Sequence, residues 1–162
     1  MVGFPLIERE HPTAMKSKTA NQSKRLKEVL RLKLKESHAT EMLGFELDSV
    51  DSGRAVLRLD VRRQHKQLHG VVHGGILAAM ADTAAAIASY TVLPKGTALA
   101  TVELSINYLE AVPRGRVKAD ARVLRVGRNF VVAECEIRTG EGSLAAKALL
   151  TFGAAVGHTL RK

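Results

Sequence analysis

The run from His73 to Tyr90 constrains this chain more than any other stretch. Behind His73-Gly74-Gly75 come Ile76, Leu77, Met80, Ile87 and many alanines, with one carboxylate, Asp82, in the middle. The segment has no proline, and its Ala, Leu and Met are good helix formers, so it reads as a helix from Gly74 to about Tyr90. Pro94-Lys95-Gly96 then breaks the chain. A helix that is apolar on all sides is normally buried. An ionised carboxylate there costs several kcal/mol unless it is paired or hydrogen-bonded. Asp82 is therefore a candidate for chemistry. The competing reading is a structural Asp bonded to Thr83, Thr101 or backbone amides.

The helix begins at two glycines, and its first amide groups lack intrahelical partners at the positive end of the dipole. Such an end suits a carbonyl oxygen that gains negative charge. Gly74 and Asp82 are eight residues apart, so on one helix they stand roughly 12 Å apart along the axis. That is too far for both to act on one small group. If they act on the same bond, the amide comes from one subunit and the carboxylate from another, most simply in a two-fold dimer.

The remaining segments read as strands around this helix. Phe45 and Leu47 alternate with Glu46 and Asp48, Asp51-Ser52-Gly53 turns the chain, and Leu57, Leu59 and Val61 alternate with Arg58, Asp60 and Arg62. This is a hairpin with one wet face. Residues 64–72 read as an irregular loop. After the helix, 98–109 alternates, with Ala100, Val102, Leu104, Ile106 and Tyr108 on one side and Thr101, Glu103, Ser105 and Asn107 on the other. Strands over 117–126, 130–138 and 144–152 follow, separated by Gly127-Arg128-Asn129 and Thr139-Gly140-Glu141-Gly142. An antiparallel sheet with one apolar face needs a cover, which the single long helix supplies. The fold class is α+β.

Three segments divide the chain. Residues 1–20 read as disordered, 21–38 as a basic amphipathic helix carrying Leu26, Val29, Leu30 and Leu34 at helical spacing, and 40–156 as the folded domain. The formal charge is +9, and residues 1–40 hold nine Lys/Arg against four Glu. Charge of this kind favours anionic ligands such as phosphates. The basic helix reads as a solvated accessory face rather than a nucleic-acid contact, since one helix does not make a helix-turn-helix. Ile76–Leu93 has the length of a membrane span, but Asp82, Thr83, Ser89 and its alanines argue against one. Residues 1–20 show no signal-peptide core, so the expected location is the cytoplasm. Cys135, the single cysteine, sits in a strand-like run and reads as a buried, inert thiol. His65, His69 and His73 recur every four residues, but in a loop without a nearby carboxylate they do not suggest a metal.

With Leu43-Gly44-Phe45, His73-Gly74-Gly75 through Asp82-Thr83, the strand Val102–Tyr108 and the Gly127-Arg128 turn in this order, the chain resembles the PaaI-type acyl-CoA thioesterases, whose fold is the hotdog. The resemblance spans about residues 40–156. It implies an antiparallel sheet wrapped around one central helix, preceded here by an extra N-terminal helix. It also implies hydrolysis of acyl-CoA with no cofactor, CoA being part of the substrate, by a dimer or dimer of dimers with shared sites. Asp82 matches the family's catalytic carboxylate, as base or nucleophile, and Gly74 its oxyanion amide. Thr101 matches the hydroxyl that holds the attacking water. Gln67 stands where many members carry an Asn that polarises the thioester carbonyl. His73, at a helix N-terminus that disfavours imidazolium, is expected to orient rather than transfer protons. Arg114, Arg116, Arg125, Arg128 and Asn129 are candidates for the CoA phosphates, because Arg forks match phosphate. The alternatives are a non-catalytic acyl-CoA sensor, a hotdog dehydratase and a hydrolase of carrier-protein thioesters.

Overall fold

The computed structural model of the chain describes residues 28–156, except residues 33 and 35. The segment 1–20 and the first part of the 21–38 helix fall outside that range. Residues 28–32, 34 and 36 are helical. A short helix that the sequence reading missed, α1 (His38–Leu43), follows Ser37. Gly44 ends it at φ 71°, with its N–H donating to the Glu41 carbonyl. That left-handed turn favours glycine at a helix end.

Six strands form one antiparallel sheet: β1 (Glu46–Asp51), β2 (Arg54–Asp60), β3 (Thr97–Tyr108), β4 (Arg116–Val126), β5 (Phe130–Thr139) and β6 (Leu144–Val156). Their order across the sheet is β1-β2-β4-β5-β6-β3. Helix α2 (Gly74–Tyr90) lies in the concave face. This is the hotdog fold. Val117, Ala119 and Ala121 of β4, Val131, Ala133, Cys135 and Ile137 of β5, and Leu150 and Phe152 of β6 point inward and are fully buried or nearly so. They meet Leu77, Met80, Ala81, Ala84, Ala85 and Ala88 of α2. The alanines on this helix let it lie close to the sheet, and the larger strand residues fill the layer. Burial pushes the Cys135 thiol up to about 12, which keeps it protonated and inert.

The outer face carries the charges. Arg54 pairs with Asp120 through two bonds of 2.8 and 2.6 Å, Lys118 with Asp48 at 2.8 Å, and Lys147 with Glu134 and Glu136 at 3.1 and 3.2 Å. Exposed pairs of this kind contribute little singly, and they mark the face as solvated. Among the described residues no helix is long and apolar enough to cross a membrane.

Two features depart from the sequence reading. The alternation in β3 changes phase, because the register steps from Thr101↔Phe152 to Glu103↔Thr151 and leaves Val102 as a bulge. Thr101 therefore shares the helix-facing side with Leu104, Ile106 and Tyr108 instead of opposing them. A bulge inserts one residue and re-aims everything beyond it. Helix α2 is also not enclosed all round. Gly75 and Tyr90 are exposed, and Ile76, Ala79, Asp82, Thr83 and Ala86 are only half-buried. These residues recur at helical spacing and form one uncovered stripe.

Candidate active site

The loop before α2 is held firmly. His65 is 1% exposed, accepts the Arg62 N–H at Nδ1 (3.0 Å), and offers its carbonyl to the His73 N–H (2.8 Å). Burial, then the Arg62 guanidinium, pushes the imidazole below its ordinary value against the opposing Leu43 carbonyl. Its Nε2 has no acceptor within normal hydrogen-bond geometry among the described residues, so the Leu43 carbonyl acts on it only as a nearby dipole. Val72 N–H donates to the Val112 carbonyl at 2.8 Å, tying the loop to the β3–β4 connection.

His73 caps α2. Its Nδ1 accepts the Gly75 N–H at 2.9 Å, and its carbonyl accepts the Ile76 N–H. An accepting Nδ1 leaves Nε2 to carry the proton of the neutral ring. With Gly75 occupied, the Gly74 N–H remains without a partner among the described residues. Gly74 lines a cleft of about 350 Å³ together with Gln67, Val72, Leu77, Tyr108 and Glu110, among others. Tyr108 and Glu110 were not singled out as site residues from the sequence, because each stands at a strand end without a local motif. A second cleft of about 420 Å³, between Glu28, Arg31, Leu32 and Leu34 on one side and Phe45, Glu46 and Leu47 on the other, holds neither Gly74 nor Asp82.

Asp82 sits two turns further along α2. Thr101 of β3 donates to its Oδ1 at 2.7 Å. Thr83, the other hydroxyl nearby in sequence, donates to the Ala79 carbonyl at 2.8 Å instead. Asp82 is half-buried on the uncovered stripe, so it is not the enclosed carboxylate expected from an all-apolar helix. Within one chain the structure brings Asp82 together with Thr101, and Gly74 together with Gln67, but not the two pairs with each other.

The basic residues also separate. Arg116 and Arg125 lie near opposite ends of β4, roughly 30 Å apart at strand rise. Arg114 shares the Arg116 end, and Arg128 and Asn129 share the other. Arg116 already donates to Asp60 at 2.7 Å, and this holds the Asp60 carboxyl below its usual range. The two turns therefore do not gather at one mouth within a single chain. Among the described residues no group of three or more His, Cys, Asp or Glu is placed to hold a metal ion.

Residues 69–146 match the family described as the Thioesterase superfamily. A 1,4-dihydroxy-2-naphthoyl-CoA hydrolase of Listeria monocytogenes is 31% identical over 97 residues, 60% of this chain and 79% of that protein. The chain belongs to the thioesterase superfamily. The thioesterase HI1161 of Haemophilus influenzae superposes with a TM-score of 0.77 at 28% identity, covering 84% of this chain and 94% of that one. The PaaI protein of Escherichia coli, from the phenylacetic acid degradation operon, gives 0.75 at 26% identity over 83% and 96%. The fold is therefore that of the PaaI-like hotdog members of this superfamily.

Proposed function

We propose that this thioesterase hydrolyses acyl-CoA to the free acid and CoA at sites shared between two copies of the chain. The observation that carries the reading is the separation, on one helix, of a free N-terminal amide at Gly74 from an Asp82–Thr101 pair with an open side. Each half lacks what the other holds. Tyr108 marks the Gly74 level on β3 and Thr101 the Asp82 level on the same strand. β3 is an edge strand. Pairing it antiparallel with its own copy, centred near Leu104–Ser105, carries Asp82 of one subunit to Gly74 of the other and covers the stripe on α2.

In such a site the thioester carbonyl lies between the Gly74 N–H and the Asp82 carboxylate. Asp82 takes a proton from water as the water attacks the carbonyl carbon, or attacks that carbon itself and forms an anhydride that water then opens. The Gly74 N–H receives the oxyanion, and Gln67 is within the same cleft to donate a second bond. The C–S bond breaks and CoA leaves as thiolate. One oxyanion donor in such a site is worth about 3 kcal/mol. The reaction needs no cofactor. Two-fold symmetry sets the Arg125–Asn129 turn of one subunit and the Arg114 end of the other at the same end of the combined sheet, and the arginines at that end are the proposed contacts for the CoA phosphates. Exposed Leu124, Phe130 and Leu149 on the outer face offer a surface on which two dimers could pair. Acyl-CoA as substrate fits a cytoplasmic location.

The test is thiol release across a panel of acyl-CoAs, aryl ones included given the Listeria relative, by wild type and Asp82→Asn. Wild type is expected to turn over, and the variant to lose at least 100-fold in kcat, as is common for removed catalytic groups. Binding without release would favour a sensor. Dehydration without release would favour a dehydratase. Release from acyl carrier protein alone would move the substrate to carrier thioesters.

A further inference from the structure

Resting on the reading above, the geometry points to Tyr108 as the positioning residue for the oxyanion amide: its ring and hydroxyl clamp Gly74 from the sheet side. Tyr108 ends β3, and its hydroxyl donates to the Gly74 carbonyl at 2.9 Å. The ring lies so close that a Cβ at residue 74 would stand 3.0 Å from Cζ and 3.2 Å from the hydroxyl oxygen. Position 74 is thus fitted to glycine by this one side chain.

At the start of α2 the His73 side chain and carbonyl hold the Gly75 and Ile76 N–H groups, while the Gly74 N–H has no partner among the described residues. An oxyanion donor must stay within a few tenths of an ångström of its working position to act in the transition state. The Tyr108 contact supplies that restraint from a different element. It exists because the Val102 bulge turns Tyr108 toward the helix; without the phase change the ring would face the outer side. Tyr108 also forms one wall of the Gly74 cleft, so the same ring limits how the acyl carbonyl can approach.

A positioning role separates from a structural one in kinetics. Tyr108→Phe keeps the ring and removes the hydroxyl. It is expected to lower kcat about tenfold, with KM within about twofold and the unfolding midpoint unchanged, as for loss of one hydrogen bond that matters most in the transition state. Ser49→Ala, which also removes one hydroxyl but on the exposed side of β1, is the control and should leave kcat unchanged. Gly74→Ala should lose activity through collision with the ring, and Gly74→Ala/Tyr108→Ala should exceed Gly74→Ala alone in both kcat and unfolding midpoint. Wild-type kcat in Tyr108→Phe, or a lowered midpoint at unchanged kcat, would overturn the proposal. If wild-type protein hydrolyses no acyl-CoA, the hydrolase reading falls. The stability cycle still decides the clamp, because purely additive midpoints would show that Tyr108 and Gly74 are not coupled.

Discussion

At Asp82 the carboxylate keeps one described protein donor, the Thr101 hydroxyl at 2.7 Å, and an open side. In the proposed reaction that hydroxyl aims the carboxylate or holds the attacking water. Thr101→Val keeps the shape and removes the donor, so steady-state kinetics should show kcat reduced about tenfold to a hundredfold. Thr101→Ser should retain most of it. Equal activity in the Val variant would remove Thr101 from the site. His65 gives a prediction in pH. Its folded-state affinity for protons is lowered by burial, so below about 6.5 the unfolded chain takes up a proton that the folded chain refuses. Its contribution to stability is complete above that pH and falls as pH drops from there toward 5. His65→Gln should show a flatter unfolding midpoint between pH 7 and 5; an unchanged slope would contradict it. Asp82 and Gly74 stand out as candidates in the sequence because a carboxylate in an apolar helix and a His-Gly-Gly start are local patterns, whereas Gln67 is named only through the family resemblance. Tyr108 was not, since its partner lies 34 residues away and only the folded strand brings them together.

Among the elements, β3 decides where the chemistry can sit. Its bulge at Val102 lets Thr101 and Tyr108 face the same helix although their spacing is odd. Deleting Val102 removes the extra residue and leaves Thr101, Leu104, Ile106 and Tyr108 in strict alternation on the helix side with their β6 partners kept. Denaturant titration should therefore find a folded protein that has lost less than about 3 kcal/mol. No folded protein would contradict this reading of the register. Met80 is fully buried between α2 and the sheet, and Met80→Ala should cost about 2–5 kcal/mol in the same measurement. Strand periods and the limits of α2 follow from side-chain patterns and were readable in advance. The bulge was not, because alternation of Ala100, Val102 and Leu104 looks regular until pairing with β6 shows the extra residue. Helix α1 was also missed, being only six residues long.

The single chain leaves two things unfinished: an edge strand with Val102 and Tyr108 exposed, and a half-covered stripe on α2. Long exposed edges invite pairing. A second copy would complete both, and would bring Asp82 to Gly74. Ala86→Arg on that stripe should therefore give monomers in sedimentation and abolish turnover together, whereas a fully active monomer would exclude a shared site. The most direct measurement is complementation between subunits. An Asp82→Asn chain is co-refolded in equal amounts with a Gly74→Pro/Tyr108→Ala chain, in which proline removes the amide at a helix position that accepts it and the alanine makes room. Each variant alone should be inactive. In the shared-site dimer, random mixing leaves half the dimers mixed with one intact site each, so about a quarter of wild-type activity should return. No recovery in verified mixed dimers would contradict the account.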